Sequence, residues 1–474
     1  MESTQDHLEQ YEAIIIGAGQ AGVPLSRALA NAGWKTALIE SQHVGGTCIN
    51  EGCTPTKTMV ASARAAYMAR RSEDFGVNSG DIRVDMVKVR QRKRDIVESF
   101  RSSNRKRLEN THGLDLIMGV GTFSGPKTVK VQLNPEQIEP GGQDTRYLSA
   151  EKIFINTGER PRQIDLPGLA QVPFLNSTSI MELGQAPEHL MIVGGGYVGV
   201  EFSQMFRRFG SQVTLIQRSG QLLSHEDEDI AGAVAEILQE DGIQVLFNAQ
   251  PTRVERTDQG RICLTVKQDE SEKVLEGTHL LIAAGRAPNT EKLNLQIPGV
   301  ETDESGYIRA NERLETNVAN IYALGDIKGG PAFTHISYDD YRIIRDNLLE
   351  GKNRTVKDRP IPYTVFIDPQ LGRVGLTEKQ AREKGLDFKV ASIPMNYVAR
   401  ALEVDEPRGM MKAIVDAQSR QILGCAILGI EGGEMMSLIE TAMMGNLPYT
   451  TLKEAVYAHP TLAESMNTLF SQIE

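Results

Sequence analysis

Cys48 and Cys53 stand five positions apart in GGTCINEGCTPTK, and the chain holds only two other cysteines, Cys263 and Cys425. Four cysteines in 474 residues make no disulfide framework. In a reducing compartment a close pair is more often catalytic or metal-binding. In a regular helix, positions five apart are rotated by about 140° and lie about 7.5 Å apart along the axis. Disulfide-bonded Cα atoms must approach within about 7 Å. A Cys48–Cys53 bridge therefore demands a distorted turn, and Gly52 and Pro55 give the backbone the means. A strained bridge is also more readily reduced. Two other readings stay open: a two-ligand zinc site, which lacks a second cysteine or histidine pair nearby, and inert buried thiols.

The elements around the pair suggest what it works with. Apolar Ala13–Ile16 reads as a buried parallel strand. It runs into Gly17-x-Gly19-x-x-Gly22, then into a helical pattern with Val23, Leu25, Leu29 and Ala30. A second strand, Thr36–Ile39, ends on Glu40. Glycines at this spacing serve a tight turn, close approach to a pyrophosphate and helix–strand packing. The phosphates rest on the helix N-terminus, and Glu40 can accept from a ribose 2′-hydroxyl. The pattern returns with strand Leu190–Val193, then Gly194-x-Gly196-x-x-Gly199, then strand Gln212–Ile216 ending on Gln217 and Arg218. Here the acid is missing. A neutral residue followed by arginine suits a 2′-phosphate, although Arg218 also reads as an ordinary surface arginine. The first loop thus suits FAD or NAD and the second NADPH, with NADH possible. Two dinucleotide folds beside a cysteine pair suggest an electron path from nicotinamide through flavin and disulfide to substrate.

Lys57 falls near the start of a helix with an apolar face of Met59, Ala63 and Tyr67. A cation there would favour a reduced, anionic flavin and lower a thiolate's pKa. Glu201, just past the second glycine loop, is its natural partner. Such a relay also needs a proton donor near neutral pH. Of the eight histidines, His459 stands out in VYAHPTLAESM, because Pro460 breaks helix there and Glu464 follows five residues on. Glu464 can fix the imidazole tautomer and raise its basicity.

Composition closes off other classes. A net charge of -11 with no basic stripe argues against a nucleic-acid or anionic-membrane binder. The basic stretch Lys88–Arg94, with Arg101 and Lys106, is interleaved with acids and reads as a solvated helix face. No apolar run is long enough to span a membrane. The polar start MESTQDHLEQ has the wrong chemistry for a signal peptide, so a cytoplasmic setting is expected. No resident metal is expected.

GGTCINEGCTPTK closely resembles the GGTCxNxGCxPSK signature of the class I pyridine nucleotide-disulphide oxidoreductases, among them glutathione reductase, dihydrolipoamide dehydrogenase and mercuric reductase. The resemblance spans essentially the whole chain. It includes FINTGERP (Thr157, Gly158), LIAAGRAPNT (Gly285, Arg286, Asn289), IYALGDI (Gly325, Asp326), YTVFIDPQLGRVGLTE and HPTLAE. It implies that Cys48 is the thiol that attacks substrate and Cys53 the thiol against the flavin. Lys57 and Glu201 are implied as an ion pair by flavin N5, Tyr197 as an aromatic gate over the nicotinamide pocket, and Asp326 as a ligand of the FAD ribityl chain. Gly46 and Thr47, with the motif residues just named, are implied in cofactor binding. His459 and Glu464 match an acid–base dyad that serves the disulfide of the opposite subunit, so a homodimer is implied.

Departures narrow the group. The chain ends FSQIE without a second redox pair, and Ser224 stands where glutathione reductases usually carry a second arginine. Gln217-Arg218 speaks against dihydrolipoamide dehydrogenase, which normally has an acid there. INEGCTPTKT, FTHISYDDYRIIRDNLL and LPYTTLKEAVYAHPTLAES are most similar to the bacterial mercuric-reductase-like flavoproteins, a group that includes a reactive-chlorine-resistance reductase. The implied fold is α/β: two Rossmann-like dinucleotide-binding domains, for FAD and NAD(P)H, and a C-terminal α+β dimerisation domain. The expected boundaries are an FAD domain over 8–156 and 286–349, a NAD(P)H domain over 157–285 and an interface domain over 350–474. Cys263 and Cys425, in strand-like stretches, are expected to be buried and structural. The expected substrate is a small disulfide or a soft metal ion. Dihydrolipoamide dehydrogenase and an oxidant-responsive redox sensor are the alternatives.

Overall fold

The computed structural model describes residues 8–138 and 140–473. Most of the polar N-terminal segment and the terminal Glu474 lie outside the described residues. The chain divides into two compact units. One holds residues up to Thr56 with Gln91–Arg162 and Arg286–Arg359, and the other holds Lys57–Arg90, Gln163–Gly285 and Pro360–Glu474.

The first unit is built on strand Leu8–Ile16, whose run Ala13–Ile16 is buried on both faces. A strand buried on both faces tolerates no polar alternation, as the isoleucines require. It pairs in parallel with Thr36–Glu40 on one side and Thr145–Ile155 on the other. Thr36–Glu40 in turn pairs with Leu114–Gly125, and Thr145–Ile155 with Ile321–Ala323. Strand Thr128–Leu133 joins Leu114–Gly125 to Thr145–Ile155 antiparallel to both. Helix Gly22–Asn31 packs Leu25, Leu29 and Ala30 against this sheet, in one core with Leu38 and Phe154.

The second unit repeats the first motif. Its parallel sheet runs Gln244–Leu246, Gln212–Ile216, His189–Val193, His279–Ile282, Phe174–Leu175. Helix Tyr197–Phe209 lies after the central strand. An antiparallel sheet of Ala249–Arg256, Ile262–Gln268 and Ser271–Gly277 follows. Cys263 sits in its middle strand, half-buried rather than buried, because Ile262 and Leu264 point to the core and Cys263 to the other face. The C-terminal part is an antiparallel sheet in the order Tyr363–Val365, Gln370–Gly375, Ile422–Gly429, Met410–Asp416, Phe388–Pro394. Buried Cys425 lies there, in a core closed by helices Gly432–Met444 and Ser465–Ser471. Among the described residues, no helix is long and apolar enough to cross a membrane.

Candidate active site

Gly17 turns the chain at φ 106°, and a Cβ on it would lie 2.2 Å from the Asn156 carbonyl oxygen. A Cβ on Gly22 would lie 2.1 Å from the Gly17 carbonyl oxygen. Only glycine fits either place. Asn156 locks the loop: its Oδ1 accepts the Gly22 N–H at 2.9 Å, and its Nδ2 donates to the Leu324 carbonyl at 2.9 Å. Glu40 ends the neighbouring strand, buried, with one oxygen accepting the Ala18 N–H at 2.9 Å and the other the Gln42 N–H at 2.8 Å. Burial pushes its carboxyl upward, against those hydrogen bonds. Each carboxylate oxygen keeps a second lone pair for a hydroxyl.

The cysteine segment is docked on this loop. The Gly45 N–H donates to the Ala18 carbonyl at 2.8 Å, and a Cβ on Gly46 would fall 2.8 Å from Gly19 Cα. Gly46 and Thr47 open a short helix, Gly46–Asn50, that carries half-buried Cys48. The helix stops at Glu51, with φ -139°, and a new helix starts at Cys53. The turn between the two thiols thus departs from regular helix, centred on Glu51 and Gly52. Exposed Cys53 opens helix Cys53–Arg70, its Sγ 3.4 Å from Thr334 Oγ1 in the same unit. Asn50 braces the first helix through the Val44 and Gly46 carbonyls, and Arg101 holds Asn50 Oδ1 at 2.9 Å.

Two further motifs close the first unit's site. Thr157 and Gly158 are tied to Asn289, whose Nδ2 donates to the Thr157 carbonyl at 2.8 Å and whose N–H donates to the Gly158 carbonyl at 2.9 Å. Gly325 and Asp326 begin a single turn, Gly325–Lys328. Wholly buried Asp340 holds that turn, accepting the Gly325 N–H at 2.8 Å and meeting Lys328 at 3.3 Å and Arg359 at 2.7 Å. Burial, then the nearby Glu159 carboxylate, pushes Asp326 up to about 6. Glu159 is itself buried and paired with Arg286 at 3.0 Å. A glycine turn, a strand-end carboxylate and a second carboxylate on a braced turn fit the pyrophosphate, ribose and polyol of FAD.

In the second unit the glycine geometry recurs. Gly194 has φ 113° with a Cβ position 2.4 Å from the Ala283 carbonyl oxygen, and a Cβ on Gly199 would meet the Gly194 carbonyl oxygen at 1.8 Å. Gly196 faces open space. Gln217 takes the place of Glu40, its Oε1 accepting the Gly195 N–H at 3.1 Å and its Nε2 donating to the Gln221 carbonyl at 2.8 Å. Arg218 is exposed beside it. Gly285 closes the loop after strand His279–Ile282 at φ 107°. This set fits a second dinucleotide.

Lys57 and Glu201 meet at 2.7 Å, with 30% and 7% of their side chains exposed. Glu201 also accepts the Phe366 N–H at 2.9 Å, and the Lys57 ammonium lies 4.7 Å from the Phe366 ring centre. Tyr197 begins helix Tyr197–Phe209, one turn before Glu201, with its ring 5.5 Å from that of Tyr363. On the Lys57 helix Met59 and Ala63 are buried as expected, but half-buried Tyr67 lies under the Arg208 guanidinium at 3.8 Å. His459 Nδ1 lies 2.9 and 3.2 Å from the two Glu464 oxygens. The imidazole sits in a bend, and Glu464 directly precedes helix Ser465–Ser471.

Sequence reading missed the residues that brace these groups: Asn156, Glu159, Thr334, Asp340 and Tyr363. Asn156 was legible in principle, as a polar residue ending a buried strand directly before Thr157 and Gly158. The others lie far along the chain from what they hold.

Comparison with known proteins agrees with the geometry. Residues 11–340 match the family model of the pyridine nucleotide-disulphide oxidoreductases, and residues 361–470 match its dimerisation domain. A probable pyridine nucleotide-disulfide oxidoreductase, RclA, of Escherichia coli is 39% identical over 98% of this chain and 100% of its own. A mercuric reductase of Staphylococcus aureus is 33% identical over 96% of this chain and 81% of its own. The solved Cu(II) complex of the HOCl-induced flavoprotein disulfide reductase RclA superposes with a TM-score of 0.87, at 39% identity, over 98% of this chain and 100% of that one. The chain is therefore a member of the pyridine nucleotide-disulphide oxidoreductase family of flavoenzymes.

Proposed function

We propose that the chain passes electrons from NADPH, with NADH as a poorer donor, to an oxidised Cys48–Cys53 pair and on to a small disulfide or a soft metal ion. Bound FAD supplies the two-electron step between nicotinamide and sulfur. The observation that carries the reading is the break at Glu51–Gly52, which sets Cys48 in one short helix and Cys53 at the start of the next, beside the first glycine loop.

Reduction of the bridge takes two electrons and two protons and leaves two thiols. Cys48 as thiolate then attacks one sulfur of a substrate disulfide, forming a mixed disulfide and expelling the other sulfur as a thiolate. Cys53 as thiolate attacks Cys48 in that mixed disulfide, restoring the bridge and releasing the second thiolate. His459 delivers protons to the departing sulfurs, with Glu464 on its Nδ1 leaving Nε2 to face them. In this reading the dyad serves the disulfide of the opposite subunit in a homodimer. Apolar Val456, Tyr397 and Met444, exposed in the single chain within the dimerisation region, support that assembly. A reducing setting such as the cytoplasm suits an accessible dithiol.

A soft metal ion is a second form of acceptor. The solved relative is a Cu(II) complex, mercuric reductases are among the similar proteins, and thiolates suit copper and mercury. In this reading the metal ion is a substrate taken by the Cys48 and Cys53 thiolates.

Anaerobic NADPH titration tests the relay. The parent protein should take up about two electron pairs per chain and develop a long-wavelength thiolate–flavin band. Cys48→Ser should take up about one and lose substrate reduction, and Cys53→Ser should lose the band as well. Unimpaired turnover in either variant refutes the relay. A screen of glutathione disulfide, lipoamide, Hg(II), Cu(II) and quinones then identifies the acceptor.

A further inference from the structure

Asp326 stands in a turn whose backbone does not set its own direction. Gly325, just before it, has φ 70°, in the left-handed region where glycine is least restricted. The Leu324–Gly325 peptide is instead held from both ends. Its carbonyl accepts from Asn156 Nδ2 at 2.9 Å, and its N–H donates to Asp340 Oδ2 at 2.8 Å. The same Asp340 oxygen lies 3.3 Å from the Lys328 ammonium, so one atom grips the first and last residues of the turn Gly325–Lys328. Its other oxygen accepts from Arg359 at 2.7 Å. One helical turn before Asp340, the Ser337 hydroxyl donates to Asp326 Oδ1 at 3.4 Å. A lone backbone N–H needs only a neutral acceptor, and a wholly buried carboxylate is a costly one unless cations pair with it. Lys328 and Arg359 supply that pairing. What the charge adds is the grip on the far end of the turn.

We propose that Asp340 is a positioning residue for flavin binding: with Arg359 behind it, it fixes the Leu324–Gly325 peptide and so aims the Asp326 carboxylate at the polyol. This rests on the reading of Asp326 as the ligand of the FAD ribityl chain. Neither Asp340 nor Arg359 touches the flavin in this scheme. Their part is to hold the turn before the flavin arrives, so that less freedom is lost on binding.

Two affinities test the proposal: the FAD Kd, read from free-FAD fluorescence on serial dilution of the holoprotein, and the ADP Kd, read by calorimetry on the flavin-free full chain. ADP occupies the glycine loop and the Glu40 side alone, so it reports binding that does not involve Asp326. Asp326→Asn should raise the FAD Kd roughly 10- to 100-fold, the range of hydrogen bonds to a charged group. Asp340→Asn should raise it roughly 3- to 10-fold and leave the ADP Kd within about twofold of the parent, which a general loosening of the fold would not do. Added to Asp326→Asn, Asp340→Asn should shift the FAD Kd by less than about twofold more, since it acts through that carboxylate. Arg359→Gln leaves the turn its own bonds to Asp340 and should raise the FAD Kd roughly 2- to 5-fold; it carries the test if Asp340→Asn does not fold. A parent-like FAD Kd in the variant that carries the test, equal losses for FAD and ADP, or effects that multiply in the double variant overturn the role of Asp340 alone. A parent-like FAD Kd in Asp326→Asn overturns the reading of Asp326 and this proposal together.

Discussion

The Lys57 ammonium sits 2.7 Å from one oxygen of Glu201, while the other oxygen accepts the Phe366 N–H at 2.9 Å. The carboxylate thus satisfies a charge and a backbone donor together. Glu201→Ala leaves both without an acceptor and is expected to lower the unfolding free energy by about 2–4 kcal/mol, somewhat below the loss for a fully buried pair because Lys57 is partly exposed. Glu201→Gln keeps an oxygen for Phe366 and should lose about half as much. Thermal unfolding measures both. A loss under about 0.5 kcal/mol for the alanine variant would mean that water replaces the carboxylate at no cost.

The proposed preference for NADPH assigns the 2′-phosphate to Arg218. The neighbouring Gln217 is occupied in bracing Gly195, whereas Arg218 is exposed and open to a phosphate. Arg218→Glu should cut kcat/KM for NADPH about 10- to 100-fold, the value of a charge-assisted phosphate contact and its reversal. The NADH value should change by less than about threefold. Steady-state kinetics with each coenzyme decides it, and an unchanged ratio would mean that the 2′-phosphate is read by another residue.

How far the sequence carried this reading depends on separation along the chain. Both glycine loops follow strands and open helices within about 30 residues, and such local patterns are readable. The break between Cys48 and Cys53 was legible for the same reason, as a short-range conflict between helix geometry and a close thiol pair. Lys57 and Glu201, 144 positions apart, were paired from the place of Glu201 just past the second glycine loop and again through the family signature. No local pattern marked Tyr363 as the partner of Tyr197, or Asp340 as the anchor of the Asp326 turn. Tyr67 was misplaced because periodicity marks a helix face without saying what covers it, and here the cover is arginine.

Nδ1 of His459 faces both Glu464 oxygens, and in the proposed relay Nε2 transfers the proton. His459→Ala should lower turnover by roughly 10²–10⁴-fold, the range for a general acid–base group. Glu464→Gln still accepts from Nδ1–H but no longer stabilises imidazolium, and should cost roughly 10-fold. Single-turnover experiments locate the loss: flavin reduction by NADPH should proceed at the parent rate while substrate reduction slows. A fall below threefold in His459→Ala would remove that residue from the mechanism.

Asp326 gives a pH dependence with a definite sign. Its carboxyl is pushed up to about 6, chiefly by burial, from an ordinary value of 3.8. Between these values the folded chain holds a proton that the unfolded chain has released, so this group's contribution falls as pH rises from about 4 to about 6, then levels off. The total is about 3 kcal/mol, each step of one in pH between the two values costing about 1.36 kcal/mol. Asp326→Asn removes the titration, so in FAD-free protein its advantage in Tm over the parent should grow across that interval and hold steady above it. A gap that does not change with pH would show Asp326 already ionised in the folded chain. Polyol hydroxyls donating to Asp326 favour its charged form and draw its pKa down. FAD-loaded protein should therefore show a flatter dependence than FAD-free protein if Asp326 holds the ribityl chain, and the same dependence if it does not.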